Sequence, residues 1–253
     1  MKYITAFFMA WGNFCTLPCP LKLWDGKYKR IMLGFLPSVG LVIGLVWAAV
    51  LFLLVWLGLP FLLVGFAVTF IPFALCGFMH LDGFMDCSDA ILSRRPLEDR
   101  QRILKDSHTG AFAVVSVVFL LLAFYSCIST AITTGIDFVN LALIAIISRS
   151  VSGLEVLMSR PMGTSQYASS DQEESAKKEG IMLVFIQLLI FLILGFWCSS
   201  YYTGTAIVCG AVAIVTVIAA SYGKKQLGGM SGDIAGYSIV WGELAGVLCL
   251  SVI

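Results

Sequence analysis

Three carboxylates stand at i, i+4 and i+7 in the segment Gly77-Phe78-Met79-His80-Leu81-Asp82-Gly83-Phe84-Met85-Asp86-Cys87-Ser88-Asp89. On a helix, Asp82, Asp86 and Asp89 share one face. Like charges this close destabilise one another unless a cation sits among them. Hard oxygen donors at this spacing suit Mg²⁺ or Mn²⁺, which bind through a few carboxylates, waters and substrate phosphates. Downstream, Arg102-Ile103-Leu104-Lys105-Asp106-Ser107-His108-Thr109-Gly110 adds Asp106 as a fourth carboxylate, on another helix or at its start. Lys105 and the nearby arginines suit anionic oxygens. Ser107, Thr109 and Gly110 read as a helix N-terminus, whose backbone N–H groups favour a phosphate. Asp106 or Ser107 can also serve as the cap of that helix. Carboxylates beside basic residues point to metal-assisted phosphoryl transfer. The sequence carries no P-loop, no dinucleotide fingerprint and no GxSxG elbow, so nucleotide-fold and Ser–His chemistries find no support.

The elements that must hold these residues are membrane helices. The chain has 253 residues, 59% hydrophobic and 12% charged, with net charge +1; its mean hydropathy is +0.95. A soluble domain carries about 25% charged residues. The deficit excludes a disordered chain, a basic nucleic-acid binder and an ordinary soluble enzyme, and leaves an all-α polytopic transmembrane bundle. Residues 31–81 contain no Asp, Glu, Lys or Arg. As one helix they would run about 76 Å at 1.5 Å per residue, against a hydrocarbon core of about 30 Å. The run therefore crosses twice, turning at Leu57-Gly58-Leu59-Pro60. Ser107 to Ser148, whose one acid is Asp137, and the charge-free run Gly180 to Gly223 each give two more spans, and Ile234 to Ile253, with only Glu243, a seventh. The reading is a single membrane domain, 1–253, of about six to seven spans near 33–56, 61–79, 111–133, 138–158, 180–198, 204–222 and 234–253. An interfacial or re-entrant helix precedes them at the amino terminus.

All 16 Lys and Arg residues fall outside the hairpin turns. By the positive-inside rule the basic segments are cytoplasmic and the turns face out, so the acidic cluster lies at the cytoplasmic face. This implies an integral protein of the cytoplasmic (inner) membrane whose site opens to the cytoplasm. The eight cysteines form no CxxC and sit mostly in apolar runs, as small fillers rather than a disulfide framework or zinc site. Asp171 to Glu179 is a mixed-charge stretch, read as a solvated loop or helix start. An ion-coupled transporter places isolated acids at mid-span. Here only Glu155 and Glu243 qualify, and both are readable as interhelical hydrogen-bond partners or helix-end residues.

The motifs resemble those of the cobalamin synthases (adenosylcobinamide-GDP ribazoletransferases). His80 to Asp89 resembles their HxDGxxDxxDG motif, and Leu104 to Gly110 their MKDSxxG element. Phe14-Cys15-Thr16-Leu17-Pro18-Cys19-Pro20 is similar to FLTxxPxP. Gly228-Gly229-Met230-Ser231-Gly232-Asp233-Ile234-Ala235-Gly236 is similar to GGxTGDxxG, with Glu243 where an acid follows. Ala90 and Ala113 stand where glycines are usual, and Ser231 where Thr is. The resemblance implies transfer of α-ribazole, or its 5′-phosphate, onto adenosylcobinamide-GDP with release of GMP, at a membrane and with magnesium (Mg²⁺). It implies that Asp82, Asp86, Asp89 and Asp106 hold metal and diphosphate, one of them helping to deprotonate the ribazole hydroxyl. His80, Lys105 and Arg95 would steady the phosphates beside Ser107. Asp233 would join from the far end of the chain, with Asn13 and Arg149 as weaker candidates. The lipid bilayer is the other implied partner, with no nucleic acid and with a homo-oligomer possible. CDP-alcohol phosphotransferases also displace a nucleoside monophosphate using metal-bound aspartates, but their DGxxAR spacing differs.

Overall fold

The computed structural model describes residues 1–163 and 174–253. Among these the chain forms eleven α-helices and one short 3-10 turn, with no strand beyond an isolated bridge. The helices are α1 (Lys2–Phe14), α2 (Lys29–Leu33), α3 (Leu36–Trp56), α4 (Phe61–Leu75), α5 (Met79–Leu92), α6 (Leu97–Ile103), α7 (Ala111–Thr134), α8 (Phe138–Met158), α9 (Glu174–Cys198), α10 (Tyr202–Leu227) and α11 (Gly232–Val252). Six of them, α3 and α7 to α11, are long and apolar enough to cross a membrane. The protein is a polytopic helical membrane bundle. The mixed-charge stretch begins outside the described residues; from Glu174 onward it is the start of α9.

Helix α8 is the axis. Its buried face includes Asn140, Ser148, Arg149 and Ser152, and α3, α9, α10 and α11 pack around it. Gly40 and Gly44 of α3 bring the two backbones together: a Cβ at Gly44 would sit 2.5 Å from the Cα of Ala142, and one at Gly40 would sit 2.6 Å from the oxygen of Ala145. Small residues four apart permit this approach in a membrane, where apolar burial does not drive helices together. Helix α9, by contrast, keeps Phe185, Ile186, Leu189, Ile193 and Trp197 exposed at the periphery. All eight cysteines are free thiols.

The span expected near 61–79 begins as α4 and is interrupted before its end. Helix α4 ends at Leu75, and α5 leaves it at 89°. Gly77 and Phe78 both adopt φ of 60°, the left-handed region, which costs a side chain such as Phe78 about 1–2 kcal/mol. The amino-terminal Thr16-containing segment stabilises this break. Thr16 N–H donates to the Leu75 carbonyl at 2.8 Å, and its hydroxyl donates to Ala74 and Leu75 carbonyls at 3.1 and 3.2 Å. Orphan carbonyls at the helix end are thereby satisfied from another element. Helix α1, 13 residues long, is one-sided: Ala6, Met9, Ala10 and Phe14 are buried while Tyr3 and Ile4 are exposed. Trp11 Nε1 donates to Leu17 O at 3.1 Å, tying α1 to the Thr16 segment.

Candidate active site

The 89° break is what turns the acidic motif across the end of the bundle. On α5, Asp82, Asp86 and Asp89 project from one face, as their spacing requires. Asp233 reaches them from the first turn of α11. Two glycines set that crossing. A Cβ at Gly83 would lie 2.8 Å from the Asp233 carbonyl oxygen, and a Cβ at Gly236 would lie 3.0 Å from the Cα of His80. The loop before Asp233 is pinned in turn: Met162 N–H donates to Met230 O at 2.8 Å and Met230 N–H donates to Arg160 O at 2.9 Å. Ser231 then caps α11, its hydroxyl accepting from Ile234 N–H at 3.3 Å.

The cluster is electrostatically unfinished. Burial, and then the charges of Asp82, Asp233 and Asp89, push the Asp86 carboxyl up to about 7. None of these four carboxylates forms an ion pair with a Lys or Arg among the described residues. Asp89 is roofed by the start of α7: a Cβ at Gly110 would fall 2.1 Å from its Oδ2. Any side chain there would have to displace the carboxylate.

Beside the cluster a cavity of about 280 Å³ opens between α1, α5, α8 and α11. Asn13, His80, Asp82 and Asp233 line it together, which brings four residues from three distant stretches of sequence to one wall. His80 is 7% exposed. Burial and the nearby Arg149 guanidinium push its imidazole down to about 3, so it is neutral there. Its contribution to an anionic ligand is a hydrogen bond, not the charge that a phosphate-steadying histidine would carry. Arg149 itself, 1% exposed, donates to Glu243 Oε1 at 2.5 Å, to Cys76 Sγ at 3.1 Å and to Ala145 O at 3.1 Å. It is a buried tie between α8, α11 and the end of α4. Glu155, the other mid-span acid, accepts from Lys224 at 2.5 Å. Both acids are interhelical partners.

The second sequence element is exposed from Lys105 to Thr109. Asp106 accepts from His108 N–H at 3.0 Å and stands 2.6 Å from His108 Nδ1; this contact holds its carboxyl below the usual range. Its side chain is 53% exposed, and it lines a separate shallow cleft with Glu98, Gln101, Arg102 and Lys105. Ser107 and Arg95 are exposed. The cap of α7 is Gly110, with no side-chain hydrogen bond, so neither Asp106 nor Ser107 caps that helix. Asp106 instead closes a local turn onto His108. Sequence reading overlooked Ser152, which lines the cavity, and the glycine crossing. Gly83 and Gly236 were legible only as glycines inside helical segments, a signal of close backbone approach.

The donor set bears on a divalent cation in a particular way. No three His, Cys, Asp or Glu side chains among the described residues stand close enough to hold a metal ion unaided. Mg²⁺ is commonly held by one or two carboxylates, with substrate phosphates and waters completing the octahedron. Acid oxygens, a carboxyl raised by its like-charged neighbours and an adjoining cavity fit that shared mode. One or two of Asp82, Asp86 and Asp89 would share the ion with substrate phosphates.

Known proteins resemble the chain over nearly its whole length. Residues 6–251 match the family model described as cobalamin-5-phosphate synthase. An adenosylcobinamide-GDP ribazoletransferase of Clostridium perfringens strain SM101 is 37% identical over 251 residues, 99% of each chain. Proteins of the same name from Clostridium botulinum strain Alaska E43 and Geobacillus kaustophilus are 33% and 31% identical, covering 94% of this chain and 94% and 92% of their own. No solved structure matches.

Proposed function

Because this chain belongs to the cobalamin-5-phosphate synthase family, we propose that it is a membrane-bound adenosylcobinamide-GDP ribazoletransferase. The acceptor is α-ribazole or its 5′-phosphate. A ribose hydroxyl of the acceptor attacks the phosphorus that carries the cobinamide. The bond from that phosphorus to the bridging oxygen breaks, and GMP leaves with that oxygen and its electron pair. The product is adenosylcobalamin or its 5′-phosphate. A carboxylate of the cluster takes the hydroxyl proton.

The observation that carries this reading is the convergence of Asp82, Asp86, Asp89 and Asp233 without a basic partner, beside the cavity. A carboxylate cluster alone repels a diphosphate, so the cofactor is a divalent cation, Mg²⁺, which one or two of Asp82, Asp86 and Asp89 would hold together with substrate phosphates. When bound it supplies charge neutralisation at the phosphates. Asp106, Lys105, Ser107 and Arg95 form the outer rim where the nucleotide end of the donor lands. Basic residues on the site's side of the bundle support an inner-membrane protein whose site faces the cytoplasm. The test is GMP release by detergent-solubilised protein given both substrates and Mg²⁺. Release that requires both substrates and stops with chelator is the expected result; no release refutes the activity.

A further inference from the structure

We propose that the cavity between α1, α5, α8 and α11 is the subsite for the acceptor nucleoside, with its heterocycle against an aliphatic wall and its ribose toward Asp82 and Asp233. This rests on the transferase reading and adds to it which substrate is enclosed. The volume, about 280 Å³, lies at the lower edge of small-molecule pockets. It suits a bicyclic base with a pentose and cannot enclose a corrin macrocycle. The cobinamide donor can therefore present only its diphosphate end at the mouth.

The chemistry of the wall decides between the two heterocycles in the reaction. Leu33, Leu36, Val156 and Ile239 line the cavity and offer no hydrogen bonds. Ser152 is already committed: its hydroxyl donates to Ala235 O at 3.1 Å and accepts from Ser238 Oγ at 3.1 Å. Guanine would bring O6, N7 and its exocyclic amine against this surface. Each unmatched group would cost about 1–3 kcal/mol. A benzimidazole riboside brings a single ring-nitrogen acceptor and no exocyclic group, so it loses less there than guanine. The polar side chains left for a ribose in the same cavity are Asn13, His80, Asp82 and Asp233. Val156 stands one helical turn from Ser152 on α8 and is 6% exposed. Its size sets how large a base the cavity accepts.

The experiment is equilibrium binding of labelled α-ribazole to the full-length solubilised protein with no second substrate, followed by steady-state GMP release. Val156→Phe should weaken binding about tenfold or more, and Val156→Ala should shift preference toward bulkier bases. In turnover, Val156→Phe should raise KM for α-ribazole and leave KM for adenosylcobinamide-GDP within about twofold. Wild-type-like binding by both variants overturns the assignment. So does a raised donor KM with α-ribazole binding intact, which would give the cavity to guanine. Where Val156→Phe fails to fold, by thermal unfolding, the base preference of Val156→Ala decides alone. Val156-dependent binding without any GMP release would sink the activity and keep the cavity. GMP release indifferent to Val156 would do the reverse.

Discussion

Charged side chains sit at two levels of α11, ten residues apart, and the fold treats them in opposite ways. At Glu243 the charge is matched inside the protein: the carboxylate meets Arg149 at 2.5 Å, and each residue is 1% exposed. At Asp233 it is not. Three further acids, Asp82, Asp86 and Asp89, act with Asp233 on the same cluster, and no described Lys or Arg pairs with any of them. Like charges held close without a basic partner are costly, and here the relief is partial exposure, Asp82 being exposed and the other three half-buried. The matched pair ties helices together; the unmatched set is the one proposed to take a cation and a diphosphate.

The contrast breaks most visibly at the matched pair. Glu243→Leu leaves Arg149 buried without its partner and should destabilise the protein by about 3–5 kcal/mol. The double replacement Glu243→Leu with Arg149→Met should recover most of that loss, measured by thermal unfolding in detergent. Next comes the crossing that creates the unmatched set. Gly83→Val drives a side chain into the Asp233 backbone and should cost about 1–3 kcal/mol, with GMP release falling further than stability alone explains. Gly110→Ala strikes a side chain, the Asp89 carboxylate, rather than backbone. It should lower turnover about tenfold, the scale of a misplaced catalytic group, with unfolding temperature unchanged. The smallest effect belongs to the rim. His108→Ala releases the Asp106 carboxylate from its local turn and should change GMP release by less than about threefold, the scale of a neutral surface contact.

The bundle was legible because lipid imposes a harsh rule on sequence. The charge-free runs and their Gly/Pro turns gave the helices from Leu36 to Val252, and the i, i+4, i+7 acids gave the face of α5. What hydropathy could not convey was the break after Leu75, because residues 31–81 carry no charge through Gly77 and Phe78. The break depends on Thr16, 59 positions from Leu75, and no local pattern announces so distant a cap. Asp233 could be named only through the motif around it; its meeting with Asp86 is made by Gly83. The neutral state of His80 was likewise hidden, since it follows from burial near Arg149, which stands on another helix.

On the proposed function, the unmatched acids on α5 perform the transfer while the matched pair serves only the fold. This is tested most directly by Asp82→Asn combined with Asp86→Asn, assayed for GMP release with both substrates and Mg²⁺. Turnover should fall by about a thousandfold or more, with a thermal unfolding temperature at or above wild type, because two repelling charges are gone. Wild-type-like GMP release by that folded double variant would contradict it.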